Sequence, residues 1–473
     1  MRKRFLLMAY LMPALAWAQE MHRPAIHFSP KKGWMNDPNG MVYLNGTYHL
    51  FFQHNPDSTV WGPMHWGHAV SKDLVHWKEL PIALYPDSLG TIFSGSAVVD
   101  FNNTAGFGKQ AMVTIYTNHN HRLEAAGSDK FQNQSIAYSL DEGKTWTKYN
   151  GNPVLSNPGI RDFRDPKVSW YEAGKKWIMT LATKDRITFY SSPDLKHWKE
   201  ESQFGKDLGA HGGVWECPDL FPLNDNGREI WVLIVNINPG GPNGGSGTQY
   251  FTGSFDGHSF KADHTGTKWL DYGPDEYAGV TWSNTPGRRI FLGWMSNWDY
   301  ANVVPTQNWR SATSIARELK LVKTSDGYLV ASQPVREFNK VKTSTGNYHI
   351  KATKGKLALS LSRAASFTVT LSNDVGEQTV IGYDHQKREY FIDRRLSGDT
   401  AFHNGFAARY TVPRFTHSAV LDLTLVIDVS SVELFADGGR SVMTAIFFPH
   451  KDYTDLNISR NVPVKKISYE EFE

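Results

Sequence analysis

Three carboxylates stand in sequence settings suited to acid–base and nucleophilic work. Asn36-Asp37-Pro38-Asn39-Gly40 puts an acid in a turn beside Trp34. Arg164-Asp165-Pro166 sets an acid next to a guanidinium, which is expected to keep it ionised. Trp215-Glu216-Cys217-Pro218 surrounds a Glu with apolar or weakly polar groups, and desolvation there is expected to raise its pKa. Carboxyls pushed in opposite directions can divide acid and base roles. A single Asp-Pro is more often a plain turn, so the three acids gain meaning only if the fold gathers them.

A degenerate repeat supplies the means. Ser71-Lys72-Asp73 with Trp77 recurs as Ser139-Leu140-Asp141 with Trp146, then as Ser192-Pro193-Asp194 with Trp198. A weaker copy is Ser254-Phe255-Asp256 with Phe260. The Asp can hydrogen-bond nearby backbone in a turn, and the aromatic packs under it. A period of roughly 50–70 residues with several strands per unit fits propeller blades better than solenoid coils. Asp37, Asp165 and Glu216 each precede a repeat Asp by roughly 30–40 residues, so they share a phase. The first strand of each blade lines the central channel, and three acids at that phase converge on one axial pocket.

The surrounding sequence is that of a strand protein. Runs such as Thr47-Tyr-His-Leu-Phe-Phe52 and Ile230-Trp-Val-Leu-Ile-Val235 are β-branched and aromatic, with Gly, Asn, Asp and Pro between them. Asn45-Gly46 is a hairpin signal, and no long stretch shows helical periodicity. Tryptophan ends at Trp309, and segments such as Ser366–Leu371, Leu421–Asp428 and Ser431–Phe435 alternate as half-buried strands do. The expected class is all-β: a five-bladed propeller over 19–335, then a β-sandwich over 345–473.

Composition bounds the partners. With 473 residues, 40% hydrophobic and 21% charged, the chain can bury large cores and is not disordered. Fifty basic and 47 acidic residues give +3, and Arg2, Lys3 and Arg4 supply that whole excess. Near-neutrality without a basic run argues against nucleic acid. Those three residues, the apolar run Phe5–Leu15 and Ala16-Trp17-Ala18 read as a signal peptide over 1–18. The run is too short to span a bilayer, so no membrane insertion is expected. Cys217 is the only cysteine, which excludes an intrachain disulfide and a lipidated leader. The expected location is exported, periplasmic or secreted, from a bacterium.

The motifs WMNDPNG (34–40), QHNP (53–56), WGPMHWGHA (61–69), FSGS (93–96), FRDPK (163–167), WECPDL (215–220) and LGWMSNW (292–298) together resemble glycoside hydrolase family 32. That family comprises invertases, inulinases, levanases and sucrose-6-phosphate hydrolases. The resemblance runs from about His22 to the C-terminus, with Phe52 standing where Tyr is common. It implies a propeller with a sandwich and a retaining hydrolase of β-fructofuranosides, acting on fructan, fructo-oligosaccharide or sucrose. By the same resemblance Asp37 is the nucleophile, Glu216 the acid/base and Asp165 the transition-state stabiliser. Arg164 joins Asp165 in holding fructosyl hydroxyls, and Asn36, Gln53, Trp61, Phe93, Ser94 and Trp298 line the fructosyl subsite. Trp34, with Trp61, Trp66, Trp294 and Trp298, is read as part of an aromatic wall. No cofactor is expected and no metal is needed, since the histidines lack an H-E-x-x-H spacing. Cys217 is read as packing beside Glu216. A fructosyltransferase with the same site and a non-catalytic sugar-binding propeller remain as alternatives.

Overall fold

The computed structural model describes residues 20–340, 343–344, 349–351, 354–460 and 464–472; the expected leader lies outside them. Five antiparallel sheets follow one another along the chain, with first strands Gly33–Leu44, Thr91–Asp100, Phe163–Tyr171, Val214–Asp225 and Tyr277–Thr281. Each first strand packs beside the next, and the fifth packs beside the first, so the blades form a ring. The ring is also latched: Gly33 and Trp34 pair in parallel with Trp309 and Arg310. Among the described residues the only α-helix is the five-residue His121–Ala125, and no helix is long and apolar enough to cross a membrane.

The repeat turns join the third and fourth strands of four blades. Asp73 Oδ1 accepts from the Val75 and His76 N–H groups at 3.0 and 2.9 Å. Asp141, Asp194 and Asp256 accept backbone N–H groups in the same way. Asn45 and Gly46 take φ of 47° and 77° between Gly33–Leu44 and Thr47–Asn55, the geometry a two-residue hairpin needs.

Two six-stranded sheets form the sandwich. Phe367–Ser372 alternates as expected, with Phe367, Val369 and Leu371 in the core between the sheets. Ser431–Ala436 departs from the expected alternation and is buried on both faces. Val432 and Leu434 face the sandwich core, whereas Phe435 packs with propeller residues.

Buried charge joins the two domains. His27 meets Asp428 through Nδ1 at 2.7 Å and Glu433 through Nε2 at 2.8 Å. Burial alone would lower the His27 pKa, but hydrogen bonds to the two carboxylates outweigh it and raise it to about 9. Burial pushes the opposite way on Asp428 and Glu433 too, yet both fall below their ordinary values. His27 stabilises Asp428, while Arg317 and then His27 stabilise Glu433. A raised folded-state pKa gives stability that is complete below about pH 6.5 and is lost as pH rises through about 9. The lowered carboxylates give stability that is lost in acid. His27→Gln is therefore expected to flatten the fall in Tm between pH 6.5 and 9. A decline as steep as wild type would show that His27 is not its source.

Candidate active site

All five first strands break register at the same level. The shifts fall between Met35 and Pro38, Ile92 and Gly95, Glu216 and Asp219, and Tyr277 and Val280. In the third blade the break lies opposite Arg164–Lys167. Such bulges re-aim side chains. Here they turn Asn36, Asp37, Phe93, Ser94, Asp165 and Glu216 toward one pocket. Proline follows the turned residues at 38, 166 and 218, where the irregular backbone does not need its missing N–H. Asp165 and Cys217 take φ of 64° and 41°, a conformation that costs free energy outside glycine.

The pocket holds about 280 Å³ and is lined by Asn36, Asp37, Gln53, Trp61, Phe93, Ser94, Arg164, Asp165, Glu216 and Trp298. Larger grooves of about 490 and 530 Å³ lie along the sandwich, and none of these residues lines them.

Asp37 is held through both oxygens. Asn36 Nδ2 donates to Oδ1 at 2.8 Å and the Ser94 hydroxyl to Oδ2 at 2.6 Å. Trp34 does not line the pocket as expected: it is fully buried and stands behind the wall. Its Nε1–H donates to Asn36 Oδ1 at 2.8 Å, which turns the Asn36 amine toward Asp37. Its ring stacks on Trp298 at 5.9 Å. Trp66 and Trp294 are also buried in the core, so the aromatic wall is Trp61, Phe93 and Trp298.

Arg164 does not pair with its neighbour as expected. Its Nε and Nη2 donate to Glu216 Oε1 at 3.1 and 2.9 Å, and its Nη1 to Asp162 at 2.6 Å. Asp165 is deeply buried and lies near Glu216 and Asp37. Burial raises its pKa to about 7, and the attraction of Arg164 does not cancel the rise. The Cys217 N–H donates to Asp165 Oδ2 at 3.0 Å. Glu216 itself is not in an apolar setting: Arg164 holds one oxygen and the Tyr277 hydroxyl the other. Burial first, then the Glu216 charge, pushes the Tyr277 phenol well up, so it stays a donor. The Cys217 thiol lies 3.5 Å from Asp37 and 3.6 Å from Asp165. Burial and these acids push its pKa up, which suits packing rather than nucleophilic attack.

Sequence reasoning missed five residues here. His119, Glu124, Gln132 and Asp162 line the pocket, and Tyr277 touches Glu216. Asp162 was legible as a second acid beside Arg164; the other four carry no local motif. Of the described residues, His119, His121 and Glu124 form the one group whose ligand atoms lie close enough for a metal, within 4.8 Å.

Residues 27–334 match the Glycosyl hydrolases family 32 N-terminal domain, and residues 319–471 match the Glycosyl hydrolases family 32 C terminal. A levanase of Bacillus subtilis is 47% identical over 94% of this chain and 69% of its own length. An extracellular exo-inulinase of Aspergillus niger is 40% identical, covering 91% of this chain and 90% of that protein. The crystal structure of exo-inulinase from Aspergillus awamori superposes with a TM-score of 0.87 at 37% identity, over 96% of this chain and 99% of that one.

Proposed function

The chain belongs to glycosyl hydrolases family 32 and is a β-fructofuranosidase of fructans and sucrose, and from that premise we propose that it removes single fructose units from chain ends with retention of configuration. The observation that carries this reading is one pocket of about 280 Å³ in which Asp37, Asp165 and Glu216 meet.

In this reading Glu216 protonates the glycosidic oxygen as it leaves, and Asp37 attacks C2 to form a fructosyl-enzyme. Water then attacks C2 with Glu216 as base, and fructose departs with its original anomeric configuration. Asn36 and Ser94 fix the attacking carboxylate, which removes orientational freedom before the reaction. Arg164 and Tyr277 fix Glu216. Five carboxyls and one guanidinium line the pocket, and that excess of acid suits the positive charge of an oxocarbenium-like transition state. Trp61, Phe93 and Trp298 supply apolar faces that shield the reacting centre from water.

A pocket of about 280 Å³ is small enough to suit the single sugar at a chain end, whereas attack within a chain needs a longer groove. The leader-like N-terminus and the extracellular name of one relative support an exported enzyme. An early digest of levan, inulin and sucrose, resolved by chromatography and anomeric NMR, tests the reading. Fructose as the only early fructan product, first formed as the β-anomer, is expected. A ladder of oligosaccharides before fructose refutes chain-end action, and α-fructose refutes retention.

A further inference from the structure

One group at the pocket mouth has no part in the chemistry above. Asn120 caps the short helix His121–Ala125, its side chain accepting from Arg122 and Leu123 N–H at 3.1 and 3.2 Å. This places Glu124 on the pocket wall, 35% exposed, while Asp165 lies buried at the floor.

A hydrogen-bond chain with a fixed direction holds Glu124. The Phe163 N–H donates to Gln132 Oε1 at 2.8 Å, which sets the Gln132 amide. Its Nε2 therefore donates to His119 Nδ1, at 3.2 Å. With Nδ1 accepting, the neutral ring carries its proton on Nε2, which donates to Glu124 Oε2 at 2.9 Å. Burial lowers the His119 pKa to about 4, so the ring is neutral at ordinary pH. The same direction argues against a metal at His119, His121 and Glu124. A metal on Nε2 would move the ring proton to Nδ1, where it would face the Gln132 amine.

The chain leaves Glu124 Oε1 available. The Arg161 guanidinium stands 3.6 Å from it, beyond hydrogen-bond length, and is itself 56% exposed. Trp61, exposed at the same mouth, meets His121 edge to face at 6.4 Å. An aromatic face near a carboxylate oxygen that makes no hydrogen bond is the pairing that binds a sugar ring: one covers the C–H face and the other accepts a hydroxyl.

We propose that Glu124, held in place by His119, recognises the leaving-group side of the substrate by accepting a hydroxyl from the sugar joined to the reacting fructose. The inference rests on the fructosidase reading above. With the reacting ring on the floor beside Asp37 and Asp165, the second sugar extends toward the mouth, between Trp61 and Glu124.

Glu124→Gln tests it. The amide keeps an oxygen for the His119 N–H and removes the charge from the other end. The quantity to measure is kcat/KM on sucrose and on levanbiose, each divided by kcat/KM on p-nitrophenyl β-D-fructofuranoside, whose leaving group has no hydroxyl to offer. Either ratio is expected to fall about tenfold or more, the scale of a charge-assisted hydrogen bond. A fall on sucrose assigns a glucosyl hydroxyl, and a fall on levanbiose a fructosyl one. Both ratios unchanged, or both lowered equally as loss of proton donation would lower them, would overturn the proposal, even if the variant were less active overall, because damage independent of the leaving group cancels in the ratio. Failure of the underlying reading is distinct: the wild-type enzyme would then cleave none of the three substrates.

Discussion

Asp37→Ala is expected to lower kcat on sucrose by on the order of 10⁴–10⁶, while circular dichroism and Tm stay at wild-type values. The side chain is partly exposed in the pocket, and its partners Asn36 and Ser94 can turn to water, so little stability is at risk. What is lost is the carboxylate that both groups hold and that is proposed to attack C2. Glu216→Ala should differ in kind. On sucrose the loss is about 10²–10⁴, the usual weight of general acid–base catalysis. On p-nitrophenyl β-D-fructofuranoside much of the first step should return, because that leaving group needs no proton. Wild-type turnover by Asp37→Ala, or an equal loss on both substrates in Glu216→Ala, would overturn the assigned roles.

Much of this site was legible in the sequence because the propeller converts phase into position. Asp37, Asp165 and Glu216 hold equivalent places in the first strands of three blades, and the repeat turns at Asp73, Asp194 and Asp256 mark that phase from outside the pocket. Pro38, Pro166 and Pro218, where Asp-Pro alone read as a plain turn, stand at the bulges, since proline is tolerated where the ladder is already broken. What failed was inference from chain neighbours. Arg164 and Asp165 are adjacent and line one pocket, but at the bulge the guanidinium reaches Glu216 on the next blade and Asp162 rather than its neighbour. Trp34 has the residue type of a sugar platform, yet it lies two residues before the bulge and faces the core. His119, Gln132 and Glu124 come from later strands and the short helix of the second blade. Their alignment depends on Phe163 of the third blade, and no local pattern encodes that contact.

The other large effect is expected at the domain junction, where Arg317→Ala should destabilise the protein by about 3–5 kcal/mol. Arg317 is fully buried. It donates to Asp271 at 2.8 Å, to Glu433 through Nε at 2.9 Å and to Thr444 Oγ1 at 2.6 Å. Asp271 belongs to the propeller, whereas Glu433 and Thr444 sit on the sandwich strands Ser431–Ala436 and Ser441–Ile446. Removing the guanidinium leaves Asp271 without its cation and Glu433 with His27 alone, both beside Glu276, whose pKa burial and Asp271 already raise to about 8. The cost comes from unpaired charge more than from lost volume, and that can be separated. Arg317→Met restores bulk and should remain strongly destabilised, while adding Glu433→Gln should recover part of the loss. Urea denaturation followed by tryptophan fluorescence reads all three variants, and Arg317→Met at wild-type stability would show that the network is not a clamp. The junction also bears on catalysis. Asp271 leads directly into Asp275, which the sandwich residue Arg394 holds at 2.6 Å, and then into Tyr277, which holds Glu216. The sandwich thus anchors the segment that holds Glu216, the proposed acid/base.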